Sequence, residues 1–195
     1  MNVQSSIVTQ PSLEPITLAE AKEQVRVSST SLDAYITSLI VAARNTAEQF
    51  LGRSLVTQTR KIELSGFCES VYLPMGYVQS ISSVKYLDTN GVEQTLASTE
   101  YLLVNGTEGA SYMQRAYNVT WPTVRWQANA VRITYVAGYP AAGSPANLRE
   151  GIPMAIKLAI RQLVQVYYDD LKAEDREAAQ AASMQLLWPY RLLSF

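Results

Sequence analysis

The spacing of hydrophobic positions changes twice along the chain. From 16 to 52 they recur every three or four residues, the pattern of helices that bury one face. Thr17-Leu18-Ala19-Glu20 opens this stretch as a capping box, in which threonine and glutamate each satisfy a backbone donor that the first turn leaves free. The spacing predicts a short helix over 18–26, with Leu18, Ala21 and Val25 on one face. Thr30-Ser31-Leu32-Asp33 offers a second cap, and a long helix is predicted over 32–51. Its apolar face is Leu32, Ile36, Leu39/Ile40, Ala43, Ala47 and Phe50/Leu51, and Gly52 suits a left-handed C-terminal cap. Arg44 and Glu48 stand four apart on the other side, placed to pair along the helix or across to a neighbour. Ahead of the helices, residues 1–15 are polar, contain Pro11 and Pro15, and read as an extended arm.

From 53 to 140 the period shortens. Thr57 to Leu64 is rich in β-branched residues, a short segment ends at Leu73-Pro74, and Ile81 to Asp88 reads as a strand. Asn90-Gly91 is a strong hairpin signal, with Val92 to Ala97 as the returning strand. Tyr101 to Val104 adds another strand, and 105–118 is expected to be Gly-rich and irregular. Val131, Ile133 and Tyr135 alternate with polar positions until Gly138 and Pro140 stop the strand. Helical spacing returns over 152–187, with Pro153 suited to a first turn and Ile152, Ile156, Ala159/Ile160, Leu163 and Tyr167 as the core stripe. A second, charged helix is expected from Ala173 to Leu187. These elements predict one α+β domain: a helical bundle formed by the N- and C-terminal helices, with an inserted antiparallel β region.

Polarity switches abruptly near the end. After the charged run Asp169 to Glu177, the segment Leu186-Leu187-Trp188-Pro189-Tyr190-Arg191-Leu192-Leu193-Ser194-Phe195 carries one charged side chain. Apolar surface at ~25 cal/mol per Å² is not left in water without a reason. The tail (186–195) either folds back on its own core or anchors in another chain. Trp188, Tyr190 and Arg191 are residue types that dominate binding hot spots.

Composition narrows the chemistry. The chain of 195 residues is 48% hydrophobic with a net charge of -1, which supports a core and provides no global positive field for nucleic acid. It has no histidine, the commonest general base and metal ligand, and one cysteine, Cys68, which excludes an intramolecular disulfide. A secretory signal is not expected, since no basic residue precedes Lys22, and no apolar run is long enough to span a membrane. Asn105-Gly106-Thr107-Glu108-Gly109 lacks the lysine of a phosphate loop and reads as a turn. Asp169-Asp170 and Glu174-Asp175 read as a solvated helix face ahead of a hard-metal site. Trp121 and Trp126 read as packing residues ahead of a sugar platform. No catalytic, metal or cofactor residue is assigned.

Several blocks together carry a family resemblance. They are Ile16-Thr17-Leu18-Ala19-Glu20-Ala21-Lys22, Ala42-Ala43-Arg44 through Gly52-Arg53, and Val78 to Asp88 with its Asn90-Gly91 turn. Trp121-Pro122 then precedes Val131 to Tyr139, Ile152-Pro153 opens a helix ending in Tyr167-Tyr168, and Leu186-Leu187 through Pro189-Tyr190-Arg191 closes the chain. In order and spacing this resembles the head–tail connector (adaptor) proteins of tailed bacteriophages and prophages. The resemblance implies a structural protein of the virion neck, made in the host bacterial cytoplasm. Its implied partners are copies of itself in a ring, a dodecamer on the portal, then the portal protein and a downstream neck or tail protein. DNA would pass through the channel without sequence-specific binding. In that family C-terminal segments dock on the portal, which implies that role for Leu186, Leu187, Trp188, Pro189, Tyr190, Arg191, Leu192, Leu193 and Phe195. Arg44 and Glu48 become candidate inter-subunit residues, and Asp169, Asp170, Glu174, Asp175 and Glu177 candidate channel-facing ones. The alternatives are another neck component, a head-completion or tail-terminator protein, and a carboxylate-based hydrolase.

Overall fold

Alternation in Val131–Ala137 decides the centre of the β unit. Val131, Ile133, Tyr135 and Ala137 are buried while the residues between them are half-exposed, so one face of this strand is core. The computed structural model describes residues 5–106, 109–143, 147–169 and 172–192. The chain forms two compact units, Met1–Pro11 with Thr57–Gly138, and Ser12–Val56 with Tyr139–Phe195.

In the first unit the strands are β1 (Ser5–Thr9), β2 (Gln58–Leu64), β3 (Ser70–Leu73), β4 (Val78–Leu87), β5 (Glu93–Thr95), β6 (Tyr101–Asn105), β7 (Ser111–Arg115) and β8 (Val131–Ala137). They make a five-stranded sheet, order β1-β2-β8-β4-β5, and a three-stranded sheet, order β3-β7-β6, with every pairing antiparallel. One core joins the inner faces: Ile62 and Leu64, Val71 and Leu73, Val84, Met113, and the inward residues of β8. Each such aliphatic side chain contributes roughly 1.5–3 kcal/mol by leaving water. Tyr135 is fully buried, and its hydroxyl donates to the Pro74 carbonyl at 2.8 Å.

Three expectations need correction here. The polar arm over 1–15 is in part a strand, because β1 pairs with the edge of β2 from Ser5↔Ile62 to Thr9↔Thr59. Its residues are largely exposed, so backbone pairing holds it and no hydrophobic alternation could announce it. The stretch over 105–118 contains β7, where Ser111 and Met113 are buried and β7 is the middle strand of its sheet. The hairpin at Asn90-Gly91 forms, with Gly91 at φ +84 and the Asp88 carboxylate accepting from the Asn90 and Val92 amides. Its return is shorter than expected: β5 stops at Thr95, Leu96 turns into the core, and Ser98–Glu100 make a 3-10 turn.

In the second unit the helices are α1 (Leu18–Gln24), α2 (Asp33–Leu51), α3 (Met154–Tyr168) and α4 (Ala173–Leu187). The capping box forms as read: Thr17 Oγ1 accepts from the Glu20 amide, and Glu20 accepts from the Thr17 amide. The second cap does not form. Leu32 holds that position without a side-chain bond, Ser29 is taken up with Ser31, and the Asp33 carboxylate pairs with Lys22 of α1 at 2.6 Å. The core stripe of α2 is Ile36, Ile40, Ala43, Ala47 and Leu51, and Gly52 caps it at φ +65. On α3 it is Ile156, Ala159, Ile160, Leu163, Val164 and Val166. Tyr167 lies at the edge of that stripe, its hydroxyl 2.9 Å from Thr46 Oγ1 on α2. By contrast α4 buries only Ser183 and Leu187. No described helix is long and apolar enough to cross a membrane.

Candidate functional site

The tail is built on the C-terminal end of α2. Leu187, the last residue of α4, is fully buried. The chain then winds one 3-10 turn, Trp188–Tyr190, where Pro189 fixes the backbone and gives up a donor. Beyond it the Leu192 amide donates to the Leu51 carbonyl at 2.8 Å, a group that a helix end leaves without a partner. Gly52 turns the chain here at φ +65, a left-handed conformation that favours glycine, while a Cβ at this position would meet Leu192 only in ordinary contact at 3.6 Å.

Between those two fixed points the side chains face out. Trp188 is 61% exposed, with its ring centroid 6.1 Å from Phe50. The Arg191 guanidinium lies 5.3 Å from the Phe50 ring centre and 5.4 Å from that of Trp188. Both are within reach of a cation–π contact, worth ~0.5–1 kcal/mol at an exposed site. Pro189 and Arg191 are exposed, and Leu186, Tyr190 and Leu192 half-buried. The two readings of the tail therefore divide by atom: backbone and Leu187 belong to the unit's own fold, while Trp188, Pro189 and Arg191 form a surface knob. Phe50 is the member of this cluster that sequence reading assigned to the core face of α2. Leu193 and Phe195 lie outside the described residues.

Arg44 and Glu48 are displaced from their expected place. They are 2% and 3% exposed, inside the helical unit, and Arg44 Nη1 lies 3.3 Å from Glu48 Oε2. Arg44 Nε donates to Glu14 at 2.7 Å, and Glu48 Oε1 accepts from the Leu55 amide at 2.8 Å. The intrachain pairing along the helix is the arrangement found, and an inter-subunit contact would need side chains that the fold has already covered. Glu14 was the missed partner, since nothing in its spacing links it to a residue thirty positions on.

The acidic residues flank the junction of α3 and α4. Asp169 closes α3 and is half-exposed, while Glu174, Asp175 and Glu177 are exposed on the first turns of α4. Glu174 and Asp175 stand where the helix dipole favours negative charge. Asp170 lies outside the described residues. No group of three or more metal-ligating side chains converges among the described residues. In the β unit, Trp121 is packing: it stacks on Phe67 at 4.7 Å, and its indole N–H donates to the Cys68 carbonyl at 3.0 Å. Trp126 is 82% exposed.

Comparison with known proteins bears on these surfaces. The family model described as "Head completion protein" matches residues 14–186. No curated protein matches the chain. Among solved structures it is similar to a chain in the neck of an empty gene transfer agent particle computed with C6 symmetry, with TM-score 0.77 and 19% identity over 98% of this chain and 97% of that one. A chain in the virion of the native gene transfer agent particle gives TM-score 0.75 and 20% identity over 98% and 97% of the two chains. The neck of the native particle computed with C12 symmetry gives TM-score 0.67 and 19% identity, covering 100% of this chain and 97% of that one. At these identities the likeness concerns the fold, whereas the family model spans most of the sequence: the chain belongs to the head completion protein family.

Proposed function

We propose that the protein is a structural, non-enzymatic component of the virion neck: an adaptor that forms a ring beneath the portal, extends the DNA channel and gives the tail its platform. The observation that carries this reading is the tail. A family member with an exposed Trp188–Arg191 cluster on a turn pinned at both ends has a preorganised anchor, and preorganisation lowers the entropic cost of docking. The necks of gene transfer agent particles, whose chains share this fold, lend support through their C6 and C12 symmetry. The portal is the partner proposed for the knob, and the downstream neck or tail protein for the opposite side of the ring. The exposed acids Glu174, Asp175 and Glu177, with Asp169 and Asp170, are proposed to line the channel, where like charge would keep DNA sliding. A ring reconstruction with these residues on its outer wall would end that part of the proposal.

The family description supports a second reading within the same neck, a head-completion component other than the portal-bound adaptor. One experiment separates them. Full-length protein is co-sedimented with DNA-filled, tailless heads, beside a Trp188→Ala/Arg191→Ala variant. Binding lost in the variant supports the anchor. Binding by neither protein directs attention to a later neck component. Truncation after Ser183 would be a poor control, because it removes the buried Leu187 along with the knob.

A further inference from the structure

Both edges of the three-stranded sheet are open among the described residues: β3 lies at one side, β6 at the other, and no further strand follows either. An edge strand presents backbone donors and acceptors to any suitable strand, and proteins guard such edges with lysine, proline or a bulge. Ser-Val-Tyr-Leu of β3 and Tyr-Leu-Leu-Val-Asn of β6 contain neither residue, and both pair with β7 without a register shift. The face turned away from the core is equally unguarded. Ser70 and Tyr72, Gln114 and Tyr112, Leu102 and Val104 line up across it without one charge. Leu102 is 54% exposed, Val104 39% and Tyr112 37%. An antiparallel sheet that meets water ordinarily turns charged or polar side chains to it.

We infer that β6 of one copy adds to β3 of the next, so that the three-stranded sheets continue from subunit to subunit around the ring. The inference rests on the ring reading above and names its lateral contact. β3 and β6 are each antiparallel to β7 and so run parallel to one another. Rotation about a ring axis that carries one sheet into line with the next keeps that direction, so the added pair is parallel and the two strands begin side by side. At the start of β6, Tyr117 stands 90% exposed, just past Ala116, whose amide donates to the Glu100 carbonyl at 3.0 Å. At the start of β3 lies a cavity of about 320 Å³ lined by Leu64, Gly66, Phe67, Cys68, Tyr72 and Trp126, among others. Parallel addition thus brings an unhoused aromatic ring to a largely apolar hollow. Each copy carries a β6 edge on one side of the sheet, a β3 edge with its hollow on the other, and the Tyr117 ring just past the end of β7 between them. That asymmetry is what a heterologous, rotation-closed contact uses, and a two-fold dimer would leave half of it idle. A second copy is the occupant that matches both edges at once.

Cys68, exposed beside the hollow, serves as a built-in probe. Full-length Tyr117→Cys protein is assembled on tailless, DNA-filled heads, oxidised mildly and run on a non-reducing gel. The expected result is a ladder extending past the dimer, absent when Cys68→Ser is added. Rings visible by negative stain that yield only monomers or dimers on the gel would overturn the inference and leave the ring reading standing. Heads that bind protein without forming rings would remove both. As a second measurement, Leu102→Lys should abolish ring formation while its urea unfolding midpoint stays that of the parent, and rings formed by this variant would also count against strand addition.

Discussion

At the scale of single residues, two buried polar groups carry more than their spacing suggests. Arg44 looks like half of an ordinary surface pair, and such pairs are worth little. Its burial between Glu14 and Glu48 changes that, because removing one partner strands charge in a medium that solvates it poorly. Arg44→Met is therefore expected to lower stability by roughly 3 kcal/mol, read as an earlier midpoint in urea unfolding. Tyr135 supplies the second case. Burial pushes its hydroxyl up to about 12, against an ordinary value of 10.0. The folded state then holds this proton where the unfolded state has lost it, so stability is flat below pH 10 and falls as pH rises from about 10 toward 12. Tyr135→Phe should remove that alkaline slope, at a cost near neutral pH of about 1 kcal/mol for the bond to Pro74. A parent protein whose stability is level across that range would contradict the assignment.

At the scale of elements, the signals that proved legible were those written in local chemistry. The capping box at Thr17, the Asn90-Gly91 turn and the Gly52 cap each need two to four neighbouring residues and nothing else. Thr17→Ala should cost about 1 kcal/mol and loosen α1, visible as faster amide exchange at its first turn. Glu20 agrees with this picture: its burial works to raise its carboxyl, yet the bonds to Thr17 and the charges of Arg161 and Lys157 hold it below the usual value. Its contribution is thus present at neutral pH and lost as pH falls through its folded value. Elements that depend on distant partners were harder to read. β1 has an exposed surface and exists because β2 has a free edge, and β7 lies in a stretch whose glycines suggested a loop. The second cap failed for a similar reason, since Lys22 of α1 holds the Asp33 carboxylate.

At the scale of the whole molecule, the tail shows why an apolar terminus need not choose between core and partner. Leu187 and the Leu192 amide belong to the helical unit, and the knob between them is held out in a fixed shape. Trp and Arg in such clusters commonly cost 2 kcal/mol or more when truncated at an interface, about thirtyfold in affinity. The Trp188→Ala/Arg191→Ala variant is accordingly expected to bind heads at least thirtyfold more weakly, with unfolding close to that of the parent because both side chains are exposed. A variant that unfolds early would instead make the cluster part of the fold.

The sequence by itself determined the α+β class, the four helices, most strands of the antiparallel region and the family resemblance. These depend on periodicity and short motifs, which local sterics and hydrogen bonding enforce. Only the tertiary structure decided that Arg44 and Glu48 are interior and that residues 5–9 form a strand. It alone placed Phe50 under Trp188 and, among the described residues, left β3 and β6 as open edges. Each of those depends on pairs of residues far apart in the chain, and a one-dimensional pattern carries no term for which partner a buried charge, a strand edge or an aromatic ring will meet.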